Sequence, residues 1–192
     1  MDVHEVAPGL RYWLAPHPAW KPGNDWPEDV LCVYYEAPDA LVVIDPLVPR
    51  GDEARFWHAL DRDVARLGLP VRVLLTAPWH RRDADAVAAR YEAQLGGEPR
   101  PAGLETFAAG PVEEQQVAYF IRPHETLVVA EFFTGTDDGL RVTPSPADPN
   151  PGALVESLHR LLELPIQRVL VSHGDPALTN GLAKIRKALE SA

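Results

Sequence analysis

One stretch constrains the fold more than any other, residues 71–91, which read VRVLLTAPWHRRDADAVAARY. Its first six residues are rich in β-branched residues and leucine, which is typical of a buried strand. A loop with one histidine, His80, and two aspartates, Asp83 and Asp85, follows, and a helical pattern comes next. A buried strand, a polar loop and a helix in this order predict a layered α/β protein with chemistry-bearing side chains at a strand end.

The remaining patterns extend this prediction along the chain. Apolar runs bounded by turn residues predict further strands at LRYWL, at VLCVYYEA and ALVVID as a hairpin, at QQVAYFI and TLVVAEFF, at LRVTP and at RVLVS. Helical spacing of apolar residues predicts helices over 52–67, from Val87 to Leu95, over about 151–163, and at the end of the chain. TGTDDG is predicted to be a loop, and residues 97–114 fit no element. The length of 192 residues predicts one domain, 1–192.

Composition excludes several classes of function. The formal net charge is −10 and no basic stripe is visible, so we expect no nucleic-acid partner. No run of about 18 apolar residues occurs and the amino terminus lacks a signal pattern, so we expect no membrane span and a cytoplasmic location. Cys32 is the only cysteine, which excludes an intramolecular disulfide and a cysteine-rich zinc site. Its apolar neighbours favour a buried side chain over a catalytic thiol.

Four separated segments resemble, in order, the metallo-β-lactamase-fold hydrolases. They are ALVVIDPLVP, the 71–91 stretch, HETLVVAEFFTG and RVLVSHGDP, which are similar to the family's aspartate turn, metal loop, bridging-aspartate strand and late histidine turn. The resemblance covers nearly the whole chain and implies a four-layer αββα sandwich. It also implies a chiefly structural role for Asp45, which we expect to bond backbone amides of its loop.

The resemblance implies a metal site at His80, Asp83, Glu131 and His173. Zinc sites need three or four N, O or S donors, so these four could hold one ion of zinc, iron or manganese. Each residue also has a structural interpretation. His80 and His173 can bond backbone in their turns, Asp83 can cap the following helix, and Glu131 can pair with a nearby arginine.

Departures from the family pattern predict that the two-metal centre is lost. Pro78 and Ala84 stand where the resemblance implies histidines, Glu131 replaces the bridging aspartate, and the segment that should supply a middle histidine contains none. We do not expect His124 to replace it, because a strand separates it from Glu131 and carries the two toward opposite ends of the sheet. We therefore expect at most one weakly held ion.

Three hypotheses for function remain open. The chain is a non-catalytic protein that binds a small molecule, a reduced hydrolase with one metal held by His80, His173 and a carboxylate, or an anion-binding module. The last would use Arg81 and Arg82, whose guanidinium groups suit carboxylates and phosphates. Neither a catalytic residue nor an oligomeric state follows from the sequence.

Overall fold

The structure is a computed structural model that describes residues 2–96, 98–108, 115–144 and 151–192. These residues form two compact units. The first comprises Met1–Leu75 and Trp79–Gly103, and the second comprises Thr76–Pro78 and Leu104–Ala192. Among the described residues, no helix is both long and apolar enough to cross a bilayer.

The first unit contains one six-stranded sheet with the order β1-β2-β3-β4-β5-β6. Its strands are β1 (Val3–Ala7), β2 (Leu10–Pro16), β3 (Asp29–Glu36), β4 (Leu41–Ile44), β5 (Val71–Leu74) and β6 (Gln94–Leu95). Strands β1 to β4 form an antiparallel meander, whereas β4, β5 and β6 are parallel. Parallel neighbours require crossover connections, and the helices α1 (Glu53–Leu67) and α2 (Ala84–Tyr91) supply them.

Helix α1 packs on this sheet through its apolar stripe. Phe56 and Leu60 are buried in one cluster with Trp13 and Val43 of the strands. The helix ends at Gly68, which takes the left-handed conformation at φ 62° and donates its N–H to the carbonyl of Val64. Glycine adopts this conformation without steric cost, so the predicted stop is confirmed.

The second unit contains a four-stranded sheet with the order β12-β9-β8-β7 and a separate hairpin, β10-β11. The strands are β7 (Leu104–Ala108), β8 (Val117–Ile121), β9 (Thr126–Val129), β10 (Phe133–Thr136), β11 (Gly139–Val142) and β12 (Arg168–Val171). Helices α3 (Pro151–Leu158) and α4 (Gly181–Glu190) accompany them. Leu158, Leu161 and Ile185 pack with Phe120 and Val169 in a single apolar core.

Several predicted elements differ from the structure. The strand predicted at TLVVAEFF is divided, because β9 ends at Val129 and Phe133 begins β10. TGTDDG is not a loop throughout, because Thr134 and Gly135 lie in β10 and Gly139 begins β11. The helix predicted to reach Leu95 ends at Tyr91, where Glu92 turns left-handed at φ 49°, and Leu95 lies in β6. The helix predicted over 151–163 is α-helical only as far as Leu158.

The final turn of that helix, His159–Glu163, is a 3-10 helix. Part of the unassigned segment 97–114 forms β7, while residues 97 and 109–114 lie outside the described residues.

Candidate metal centre

His80 is fixed by a buried carboxylate of its own unit. It lies in the 3-10 turn Pro78–Arg81 that follows β5, and only 3% of its surface is exposed. Its Nδ1 is 3.0 Å from Oδ2 of Asp45, which is equally buried. Because a carboxylate oxygen accepts hydrogen bonds, this contact favours the tautomer in which Nδ1 carries the proton and donates. The ring therefore has Nε2 as the nitrogen that could bind a metal.

Asp45 reaches this position because the backbone turns sharply after β4. Its φ is 50°, and its N–H donates to the carbonyl of Leu74 at 3.0 Å. Aspartate tolerates the left-handed region better than most residues because its short polar side chain bonds locally. The expected role of Asp45 was to bond backbone amides of its loop, and the contact with the imidazole of His80 is one that the sequence did not indicate.

Asp83 is engaged within the loop that it opens. Its Oδ2 accepts from the N–H of Val48 at 2.8 Å, and its own N–H donates to the carbonyl of Pro46 at 3.0 Å. It occupies the position before α2, where its carboxylate makes no bond to the helix amides. The carboxylate thus ties the turn after β4 to the start of α2.

The two arginines of the loop have different surroundings. Nε and Nη2 of Arg81 each donate at 2.6 Å to the carboxylate of Asp85, one turn along the exposed start of α2. Nη1 of Arg82 donates to the backbone carbonyl of Asp45 at 3.1 Å and lies 3.8 Å from Sγ of Cys32. Arg81 therefore has an anionic partner on the protein itself, whereas Arg82 braces the turn that carries Asp45.

Cys32 is a core residue rather than a nucleophile. Its side chain is fully buried, and burial raises the pKa of its thiol to about 12 despite the nearby Arg82 guanidinium. A thiol that keeps its proton at neutral pH is a poor nucleophile and a poor metal ligand. The interpretation of Cys32 as a buried small side chain is confirmed.

In the second unit, strand register brings Glu131 and His173 together. Strands β9 and β12 are parallel neighbours, and Val129 pairs with Val171 at their ends. Each candidate ligand lies two residues beyond its strand. Nε2 of His173 is 3.6 Å from Oε1 of Glu131, with side-chain exposures of 13% and 38%. The carboxyl ends of two adjacent parallel strands thus supply one imidazole and one carboxylate.

The turn that carries His173 is held by backbone packing. The N–H of Gly135 in β10 donates to the carbonyl of His173 at 2.9 Å. A β-carbon on Gly135 would lie 2.0 Å from the carbonyl oxygen of Asp175, and one on Gly174 would lie 2.2 Å from that of Gly135. Only glycine fits at these two positions, because the two backbones touch.

His124 lies at the other end of β9 from Glu131, as predicted. It belongs to a 3-10 turn, Arg122–His124, that precedes the strand. Partial burial, followed by the charge of Arg168, lowers the pKa of its imidazole. It is not part of the candidate centre.

Among the described residues, one group could hold a metal ion, and it consists of His80, Glu131 and His173. It contains three of the four residues that the sequence predicts as ligands and omits Asp83. The sequence predicts a structural role for Asp45, and what it did not indicate is the contact by which Asp45 orients His80. Its position directly after an apolar strand was visible, but the direction of its side chain follows from the left-handed turn.

Comparison with known proteins identifies the fold. No family model and no curated protein matches the chain. Solved structures do match over nearly its whole length. A metallo-β-lactamase from Erythrobacter litoralis in its mono-zinc form is 13% identical, covers 100% of this chain and 97% of its own, and superposes with a TM-score of 0.64.

Two further solved structures agree. A metallo-β-lactamase from Pontibacter korlensis is 13% identical, with coverage of 100% and 99% and a TM-score of 0.60. A metallo-β-lactamase family protein from Thermus thermophilus is 17% identical, with coverage of 97% and 79% and a TM-score of 0.55. The chain therefore has the metallo-β-lactamase fold, and the predicted α/β class is confirmed.

Proposed function

We propose that this protein keeps the metallo-β-lactamase fold but has its two-metal centre reduced to a site for one ion, held by His80, Glu131 and His173. The observation that carries the proposal is the group formed by these three residues. Two imidazoles and one glutamate are a donor set that catalytic zinc sites use, with the fourth position left open. Imidazole and carboxylate donors also suit iron and manganese.

A second ion lacks donors. Two tightly held ions need several imidazoles and a bridging carboxylate, yet the loop offers Pro78 and Ala84 where histidines would stand. The carboxylate of Asp83 accepts a hydrogen bond from the N–H of Val48, so one of its oxygens is already engaged in holding the loop. The donor count therefore favours one ion over two.

The protein's own residues have separable roles at such a site. Asp45 accepts a hydrogen bond from the Nδ1–H of His80, which sets the tautomer and leaves Nε2 as the nitrogen that could bind an ion. Metal-binding histidines commonly carry a carboxylate of this kind, and its loss weakens metal binding about 10- to 100-fold. Glu131, the more exposed ligand, adds negative charge next to His173. When bound, a zinc ion supplies Lewis acidity for hydrolysis near neutral pH.

A second candidate is a metal-free pocket that binds a small molecule. It is favoured by the polar partners that the candidate ligands already have, Asp45 for His80 and Glu131 for His173. The Asp45 contact satisfies one nitrogen of the buried His80 ring without an ion, whereas the His173–Glu131 distance of 3.6 Å is that of an ion pair rather than a hydrogen bond. An anion-binding role for Arg81 and Arg82 is less favoured, because the charge of Arg81 is directed to Asp85.

Metal retention tests the proposal. Protein loaded with excess zinc, iron or manganese and then dialysed should keep about one equivalent per chain by elemental analysis. His80→Ala and His173→Ala should each lose it, whereas His159→Ala, which changes an exposed histidine in the 3-10 turn after α3, should retain it. Two retained equivalents would restore the binuclear hydrolase, and no retained metal would favour the metal-free pocket.

A further inference from the structure

A concave surface separate from the candidate metal ligands lies within the first unit, between α1 and the sheet strands β2, β3 and β4. It encloses about 440 Å³. Small-molecule sites are typically clefts of about 300–1,000 Å³. Its floor is aromatic and aliphatic, formed mainly by Trp13, Tyr34, Phe56 and Leu60. We call this surface the α1 groove. It contains none of the candidate metal ligands.

The edge of the α1 groove is positively charged. Arg11, Arg55 and Arg62 line it, and the one carboxylate among its lining residues is Asp63. Asp63 is 3.1 Å from Nη1 of Arg11 and 3.8 Å from Nε of Arg62. Outside the lining, Glu36 lies 3.8 Å from Nη2 of Arg11. Arg11 therefore faces two carboxylates, and the positive charge at the groove edge comes from Arg55 and Arg62, on a chain whose formal net charge is −10.

One of these cations is held in place before any ligand arrives. Arg11 donates to buried Asp63, and its guanidinium carbon lies 5.3 Å from the centre of the Tyr34 ring. Asp63 is 7% exposed and also accepts from Arg66 at 3.4 Å. Arg11 is therefore a fixed part of the groove wall, and the cations left to meet an anion are the exposed Arg55 and Arg62. Arg55 and Arg62 stand on the same side of α1, one on each side of Ala59.

We propose that the α1 groove binds a small amphipathic organic anion, with an aromatic or branched apolar body and one carboxylate or sulfonate group. The apolar body would lie on the aromatic floor, and the anionic group would meet Arg55 and Arg62 at the edge. Guanidinium groups bind planar carboxylates through paired hydrogen bonds. The groove and the metal centre share no residue, so the test of this site does not depend on whether the proposed metal binds.

Binding of 2-naphthoate tests the proposal, with the uncharged 2-naphthamide as the matched ligand. Titration calorimetry should give one saturable site for 2-naphthoate and at least tenfold weaker binding for the amide. Arg55→Ala combined with Arg62→Ala should weaken 2-naphthoate at least tenfold. Arg186→Ala combined with Lys187→Ala removes the same charge from exposed positions on α4 and should leave binding unchanged.

Two further variants locate the site. Ala59→Phe, at a half-buried position lining the groove, should abolish binding while leaving the unfolding midpoint unchanged. His80→Ala should bind 2-naphthoate as well as the parent protein, which separates the groove from the metal centre. Equal affinity for the amide, an unaffected double arginine variant, or binding lost only in His80→Ala would each overturn the proposal. A concentration-dependent dimer that the Ala59→Phe change disrupts would instead assign the groove to a second copy of the chain.

Discussion

The turns that carry His80 and His173 hold their imidazoles in opposite ways. His80 is positioned by a side chain, since its Nδ1 donates to the carboxylate of Asp45 at 3.0 Å. His173 is positioned through its backbone, since its carbonyl accepts from Gly135 while Gly174 packs against the carbonyl of Gly135. The two units thus present similar donors on different supports.

This difference determines what a substitution can do. A side-chain support can be removed with the backbone in place, so the expected loss concerns the orientation and basicity of one ring. A backbone support cannot be removed by a side-chain substitution. Adding a β-carbon to either glycine instead forces the two chain segments apart. We therefore expect function to fail first at the His80 turn and stability to fail first at the His173 turn.

The largest effect should follow Gly174→Ala. The new β-carbon would lie 2.2 Å from the carbonyl oxygen of Gly135, and the backbone at φ +80° is already unfavourable for alanine. Overpacking typically costs about 1–3 kcal/mol, and a left-handed residue other than glycine costs about 1–2 kcal/mol. The free energy of unfolding measured by urea denaturation should fall by the sum of these two costs.

Gly51→Ala is the matched control for this change. Its φ is +84° and a β-carbon there would meet nothing within 4 Å, so it reports backbone strain alone. The difference between the two variants measures the contact between the backbones. Equal destabilisation would show that the His173 turn is not held by close packing.

A smaller and more specific effect is expected for Asp45→Asn. Asparagine tolerates the left-handed turn and can still accept the Nδ1–H bond, so the change removes charge and little else. If His80 binds the ion, zinc affinity measured with a competing chelator should fall at least about tenfold. Asp85→Asn removes an exposed carboxylate from the same region and should leave the affinity unchanged.

Nitrogen NMR of the His80 ring gives a readout that does not need metal. The parent protein should show the proton on Nδ1, and Asp45→Asn should weaken that preference. An unchanged zinc affinity together with an unchanged tautomer would show that Asp45 does not control the His80 ring.

The smallest effect concerns His124, which has a cation rather than a carboxylate as its charged neighbour. Burial and Arg168 lower the pKa of its imidazole in the folded protein below that of the unfolded chain. The unfolded state then binds more protons at mildly acidic pH, so folding stability rises with pH through this window and falls on acidification. His124→Gln should flatten the dependence of the free energy of unfolding on pH between about 7 and 5. A slope identical to that of the parent protein would contradict this assignment.

The long buried strands and the end of α1 could be predicted from sequence because hydrophobic periodicity is local. The run VRVLLT and the stop at Gly68 each carry their own signal. Strand β10 was missed because glycine and threonine in TGTDDG favour a loop locally, although the strand predicted at LRVTP overlaps β11. In the structure Gly135 lies in an extended strand, and its N–H donates to the carbonyl of His173, which is distant in the sequence.

The candidate ligands were found through a resemblance, whereas their supports were not found. Asp45 follows an apolar strand as many turn aspartates do, and nothing in its neighbours indicates His80 as a partner. Whether Asp83 ligates a metal stays a prediction, although its bond to the N–H of Val48 gives it another role. Contacts of this kind depend on side-chain direction after a turn, which periodicity does not encode.

The parallel pairing of β9 with β12 has a consequence for the time course of folding. The meander β1 to β4 joins strands that are adjacent in sequence, whereas β12 joins β9 only after the chain of β10, β11 and α3 has been looped out. Closing such a loop lowers the chain entropy before any new contact offsets that loss, so pairing between distant strands is slow. Glu131 and His173 become neighbours only through this pairing. During refolding, we therefore expect the tryptophan fluorescence of the meander to recover before the ability to retain metal recovers.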